Sequence, residues 1–248
     1  MTPAHSSTAN SARGEHGWLR ATWPIHRRQT IGFVAAWAVL SAIWIGLGEL
    51  ITHPLSNSSV TRADGRVARW FEARRTDRGD LLSQIGSHLA ETWVKILVTA
   101  IICIVMMRMW RRWYEAAVVA VALILEAITF VTVTSVVGRP RPTVSQLDSS
   151  PVNSSFPSGH VAAAAAYGAI AVVVFWHSRN RIARTITVLL TAAIPGVVGV
   201  SRMYRGMHYL SDVVAGVLLG AMCVYVTLRI MRASPETPSE AVRESADA

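Results

Sequence analysis

The sequence predicts an all-α, polytopic membrane protein with six transmembrane helices and an additional interfacial helix in the first outer loop. Three observations carry that expectation. The chain is 52% hydrophobic and only 16% charged, against about 45–50% and about 25% in soluble domains. Its apolar residues gather into six runs close to the roughly 20 residues that a helix needs to cross a hydrocarbon core about 30 Å thick. Its arginines concentrate in alternate connections, as cytoplasmic segments do.

The six runs are 30–51, 93–110, 114–137, 161–176, 182–200 and 212–230. The first is too long for a signal peptide and has no small-residue cleavage site, so it reads as an uncleaved helix. Residues 1–29 and 232–248, polar and rich in Ser, Pro and Glu or Arg, read as disordered cytoplasmic tails around a six-helix bundle at 30–231. Arg13, Arg20, Arg27, Arg28, Arg108, Arg111, Arg112, Arg179, Arg181, Arg184, Arg229, Arg232 and Arg243 all fall on one side of a six-span layout. Both termini are therefore expected in the cytoplasm. In the first outer loop, about 52–92, Val60, Ala63, Val67, Trp70 and Phe71 recur at helical spacing between arginines, the pattern of a helix lying at the membrane surface.

Composition also excludes several classes. The net charge of +9 would suggest nucleic acid in a soluble protein, but here the apolar content points to lipid. Cys103 and Cys223 lie inside apolar runs, which leaves no material for a disulfide framework or a cysteine-built zinc site. Gly216 and Gly220 form a Gly-x-x-x-Gly pair that lets a neighbouring helix come close, and Pro195 is expected to kink the fifth span.

The polar residues that remain converge on one face. Gly138-Arg139-Pro140-Arg141-Pro142, Ser154 to His160, and Ser201-Arg202 with His208 and Asp212 all map to the outer ends of the third to sixth spans. Arginines there break the charge rule that other loops obey, which suggests that they bind an anion, and phosphate is the obvious one. Ser158-Gly159-His160 opens the fourth span: serine is suited to capping the helix, glycine to letting a ligand approach, and the first-turn amides to an anion. His208 and Asp212 are four apart on one helix face, so the carboxylate is expected to orient the imidazole and leave its other nitrogen free for attack. A metal site is disfavoured, because it would set a cation among arginines.

These motifs together resemble the type 2 phosphatidic acid phosphatase superfamily, whose signatures are Lys-x6-Arg-Pro, Pro-Ser-Gly-His and Ser-Arg-x5-His-x3-Asp. The second stands here as Pro157 to His160 and the third as Ser201-Arg202…His208…Asp212. The resemblance implies a metal-independent, cofactor-free lipid phosphatase: His208 as nucleophile forming a phosphohistidine, Asp212 as its partner and His160 as general acid. It further implies Arg141, Ser158, Gly159 and Arg202 as phosphate ligands. The first signature departs from the pattern, since its lysine position holds Thr134. Arg139, which is local, and Lys95, at the outer end of the second span, are the candidate replacements. The expected substrate is a lipid phosphate at the outer face, a polyprenyl pyrophosphate favoured narrowly over phosphatidic acid and phosphatidylglycerol phosphate. No nucleic acid or obligate protein partner is inferred. A lipid phosphotransferase using the same histidine, or a weak lipid-phosphate binder, stands as the alternative. Glu126, in mid-span, reads as a helix-locking carboxyl more readily than as a site residue, and His88 and Glu91 flank the outer approach.

Overall fold

The computed structural model describes residues 27–110, 113–150 and 152–232. The expected tails therefore lie almost wholly outside the described residues. Of their members, 27–29 already belong to the first helix and Arg232 to the last. The described residues form nine helices and no strand: α1 (Arg27–Thr52), α2 (Ser59–Glu72), α3 (Asp77–His88), α4 (Thr92–Trp110), α5 (Tyr114–Val136), α6 (Gly159–Ala166), α7 (Gly168–His177), α8 (Arg181–Tyr204) and α9 (Leu210–Arg232).

Six spans are long and apolar enough to cross a membrane: α1, α4, α5, α6 with α7, α8 and α9. They match the six runs read from the sequence, with ends extended by a few residues where capping turns add to the apolar stretch. α4 leaves Trp93, Ile96, Leu97, Ile101, Ile104 and Val105 exposed and buries only Met106. A soluble protein does not leave such a face in water. The fourth span breaks at Tyr167, whose hydroxyl donates to the Lys95 carbonyl at 3.2 Å. α8 runs unbroken through Pro195.

The connection between the first two spans holds two helices where one was expected. α2 starts at Ser58, whose hydroxyl accepts from the Thr61 amide, and ends at Ala73. Thr76 then caps α3 through the Gly79 amide, with Asp77 and Asp80 in the favourable first turn. The apolar residues of α2 divide: Val67 and Phe71 pack under Met203 and Val161, whereas Val60 and Trp70 stay exposed.

α6 and α9 meet most closely. A side chain at Gly216 would put its Cβ 2.6 Å from the Ser158 carbonyl, and one at Gly220 would strike the Ala162 carbonyl. Alanines 162–166 supply the matching smooth face on α6. Small residues on both helices thus allow backbone contact, where apolar burial alone gives no drive in lipid. Next to this seam, Leu40 and Trp44 of α1 pack with Val133, Val137, Phe156 and Leu219.

Substituting Gly220→Leu is expected to destabilise the bundle by about 1–3 kcal/mol, the usual cost of overpacking. Gly168→Ala, where nothing lies within 4 Å of an added Cβ, should be tolerated. Thermal unfolding of both variants in one detergent checks the contrast.

Candidate active site

The α6–α9 seam decides where the polar residues go. The Ser158 amide donates to the Asp212 carbonyl at 3.0 Å, so the start of α6 and the start of α9 are tied backbone to backbone. Pro140 and Pro142 stop α5 from continuing, and the chain crosses the bundle end as an irregular loop. Its Ser155 amide donates to the Arg139 carbonyl at 2.9 Å. The three sequence clusters thereby meet at one end of the bundle.

His208 is buried, and its Nδ1 lies 2.7 Å from the Ser155 carbonyl oxygen. A carbonyl can only accept, so Nδ1 carries the proton and Nε2 holds a free lone pair. Asp212, expected as the partner of this ring, stands further from it than the carbonyl does. Its nearer oxygen is 3.9 Å from Nδ1, because that oxygen accepts instead from the Tyr209 amide at 2.8 Å. The other oxygen is bound by the Arg139 guanidinium. A backbone carbonyl, which no residue pattern reveals, sets the tautomer. Burial, then the charges of Arg202 and Arg141, holds the His208 imidazole well below its usual pKa, partly offset by the Ser155 bond. The ring is neutral at pH 7.

Ser158 precedes α6, but its hydroxyl makes no capping bond and is buried with no partner. Arg202 Nε is likewise buried without a partner, although Nη1 donates to Ser87 at 2.8 Å and to Asp148 at 3.0 Å. Two unsatisfied buried donors, on residues expected to bind phosphate, are the groups that a phosphoryl oxygen would satisfy. No hydrogen bond within the described residues engages either ring nitrogen of His160. A Cβ on Gly159 would lie 2.6 Å from the Phe130 ring. Packing against Phe130 thus also requires glycine at this position.

The arginines divide by task. Arg141 is spread over the loop, Nη1 donating to Met207 O at 2.6 Å and Nη2 to Ser150 Oγ, Val152 O and Ser154 O. Burial lowers its pKa against the opposing charge of Asp212. Arg139, expected as the local substitute for the missing lysine, has a different occupation. Nη2 donates to Asp64 at 2.8 Å, Nη1 to Ser211 at 2.8 Å and to Asp212, and Tyr209 stacks on the guanidinium. Both of its terminal nitrogens are thus engaged within the protein. Thr134 turns its hydroxyl onto the Phe130 carbonyl of its own helix. Lys95, half-buried on the first turn of α4, is close enough for its charge to act on both His160 and Glu126. Glu126 itself is buried in mid-α5. His88 and Glu91 pair with each other at 2.6 Å, both exposed.

Sequence reasoning missed Asp148 and Asp64. Asp148 braces two arginines: it accepts from Arg202 and, through both oxygens, from Arg205 at 2.7 and 2.6 Å. It is the only acid between positions 137 and 157, which was the available cue. Asp64 belongs to the outer-loop helix α2 and meets Arg139 and Ser211. Among the described residues no group of three His, Cys, Asp or Glu side chains is arranged to hold a metal ion.

The geometry defines a multi-pass membrane protein whose three polar sequence clusters gather at one end of its bundle. Residues 115–236, just under half of the chain, match the family model of the PAP2 superfamily. A transmembrane PAP2-type phosphatidylglycerolphosphate phosphatase from Bacillus subtilis is similar in structure, with a TM-score of 0.67 at 20% identity, covering 86% of this chain and 100% of that one. LpxE from Aquifex aeolicus gives a TM-score of 0.48 at 23% identity, over 66% of this chain and 93% of that one. No curated protein sequence matches the chain significantly.

Asp148 offers a test of the arginine bracing. Burial raises its pKa, but the Arg205 hydrogen bonds and the Arg202 and Arg205 charges more than offset this and leave it below 3.8. The stabilisation is thus present above about pH 4 and lost as pH falls through the folded carboxyl's pKa. Asp148→Asn should lower the melting temperature at pH 7 and flatten the acid-side loss below pH 4, as read by thermal scans across pH.

Proposed function

We propose that the protein is an integral membrane lipid phosphatase that hydrolyses a phosphate monoester or pyrophosphate of a lipid through a phosphohistidine on His208. The observation that carries this reading is the fixed Nδ1–H of His208 against Ser155, beside the unsatisfied donors of Ser158 and Arg202. A buried neutral imidazole with one nitrogen free, at the same end of the bundle as buried donors with no partner in the protein, suits nucleophilic attack on phosphorus.

In the proposed sequence, His208 Nε2 forms a bond to phosphorus as the bond to the lipid oxygen breaks. His160 gives that oxygen its proton. Water then attacks the phosphohistidine, His160 takes a proton from it, and inorganic phosphate leaves with His208 restored. Arg202 and Ser158 hold the phosphoryl oxygens, with Arg141 keeping the loop closed around them. The arginine distribution supports cytoplasmic termini and a site on the extracytoplasmic side. An outer site in a membrane favours a lipid substrate, with a polyprenyl pyrophosphate ahead of phosphatidic acid and phosphatidylglycerol phosphate.

Purified protein in detergent with a chelator is expected to release phosphate from at least one of these three lipids. His208→Ala should lower the rate about 10⁴-fold or more, as for loss of a nucleophile. Release that stops on chelation, or that survives in His208→Ala, would remove the mechanism, and the substrate ranking would name the lipid class.

Lys95 is the cation left to do the work of the absent signature lysine. Lys95→Met should lower kcat/KM about 10- to 100-fold, the range for one charge-assisted contact of ~1.5–3 kcal/mol, while Arg139→Lys should not mimic it by raising KM alone. Steady-state kinetics on the best substrate of the panel separates the two.

A further inference from the structure

We infer that Asp64, on the outer-loop helix α2, is a positioning residue of this site that aims Arg139 at Asp212 and so sets the field around His208. The inference rests on the phosphohistidine reading above, and nothing in the matched segment 115–236 contains this residue.

Asp64 is 2% exposed, Arg139 4% and Asp212 0%. Three charged groups are thus withdrawn from water, an arrangement tolerated only when each finds partners. They do. Asp64 accepts from Arg139 Nη2 at 2.8 Å, from the Ser211 amide at 3.0 Å and from the Ser211 hydroxyl. Arg139 lies between the two carboxylates, one on each terminal nitrogen, with Tyr209 against its face at 4.6 Å. Held on three sides, the guanidinium cannot turn to a ligand. The Ser211 amide is among the first of α9, so Asp64 also places its charge at the positive end of that helix.

Docking α2 does not need this carboxylate, because Val67, Ala68 and Phe71 already supply an apolar contact. What Asp64 does supply is a share of the Arg139 charge. Without it, that charge falls wholly on Asp212, whose other oxygen is 3.9 Å from His208 Nδ1. Asp212 then offers less negative potential to the imidazole as positive charge builds on it during attack. The groups facing His208 are Arg202 from α8, Arg141 and the Ser155 carbonyl from the loop, His160 from α6 and Asp212 from α9. None of these side chains is itself replaced by a change at position 64, so its effect on His208 passes through Arg139 and Asp212.

The experiment compares Asp64→Asn, Asp64→Glu, Arg139→Gln and the double variant Asp64→Asn/Arg139→Gln in phosphate release across pH. Asp64→Asn is expected to lower kcat about 10- to 100-fold, as when a carboxylate that orients a metal-bound histidine is lost. Removing a negative charge disfavours protonated His208, so the acid limb of kcat/KM should move to lower pH. Asp64→Glu should keep the limb and lose only severalfold in kcat. In the Arg139→Gln background, Asp64→Asn should add nothing. Wild-type kcat in Asp64→Asn, or additive losses in the double variant, would overturn the inference. So would an unmoved limb, which would leave Asp64 only a docking contact. Should Asp64→Asn not fold, Asp64→Glu decides, since wild-type kcat there also overturns it. A second readout needs no turnover: the [15N]histidine signal of His208, assigned by its loss in His208→Gln, should titrate at lower pH in Asp64→Asn. That shift in a protein without phosphatase activity would sink the catalytic reading and leave this one standing.

Discussion

The backbone contact between α6 and α9 is the constraint on which the rest of the structure depends. Gly216 and Gly220 let the two helices approach until only a hydrogen atom fits between them, and the Ser158 amide reaches the Asp212 carbonyl. From that contact the positions of His160, His208 and Asp212 follow, because each lies within a turn of it. In lipid, where apolar side chains gain little by leaving one hydrocarbon for another, such close packing is what holds helices in register. The same two helices therefore serve as the anchor of the bundle and as two walls of the site.

Charge at this end of the molecule is arranged in two clamps. Asp148 brackets Arg202 and Arg205 on one side, and Asp64 with Asp212 brackets Arg139 on the other. Two of these three acids come from outside the matching motifs. A guanidinium whose terminal nitrogens are bound is a fixed positive charge, whereas Arg202, with Nε still unsatisfied, keeps one donor in reserve. Preorganised donors of this kind stabilise developing charge without having to reorient in the reaction. The arginines that break the outer-face charge rule thus do so for different reasons: Arg139 and Arg205 as braces, Arg141 as a loop clasp, Arg202 with a donor left over.

The spans and the convergence of the motifs were legible in the sequence because both depend on short-range pattern. Apolar run length reports a crossing directly, and Gly-x-x-x-Gly reports a seam. What was not legible depends on backbone groups and on long-range pairing. The Ser155 carbonyl has no side-chain signature, so the spacing of His208 and Asp212 pointed to a pair that the loop in fact intercepts at 2.7 Å. Arg139 is four positions from nothing acidic, and its partner Asp64 stands 75 residues away on another helix. The second outer-loop helix was readable in principle from Thr76 and its two following aspartates, but the arginine-rich stretch around it masks the apolar period.

The absent signature lysine puts the same argument to use. Position 134 lies one turn before the end of α5, and its threonine satisfies itself on Phe130. Under the proposed reading a cation serving the same anion would come from another helix, and Lys95 on the first turn of α4 is the candidate. α4 is loosely packed and mostly open to lipid, yet its first turn is fixed by Tyr167, whose hydroxyl binds the Lys95 carbonyl and lies 3.4 Å from Thr99. Tyr167 sits at the break between α6 and α7. A polar contact inside the bundle thus ties the first turn of a lipid-facing helix, with its single lysine, to the fourth span.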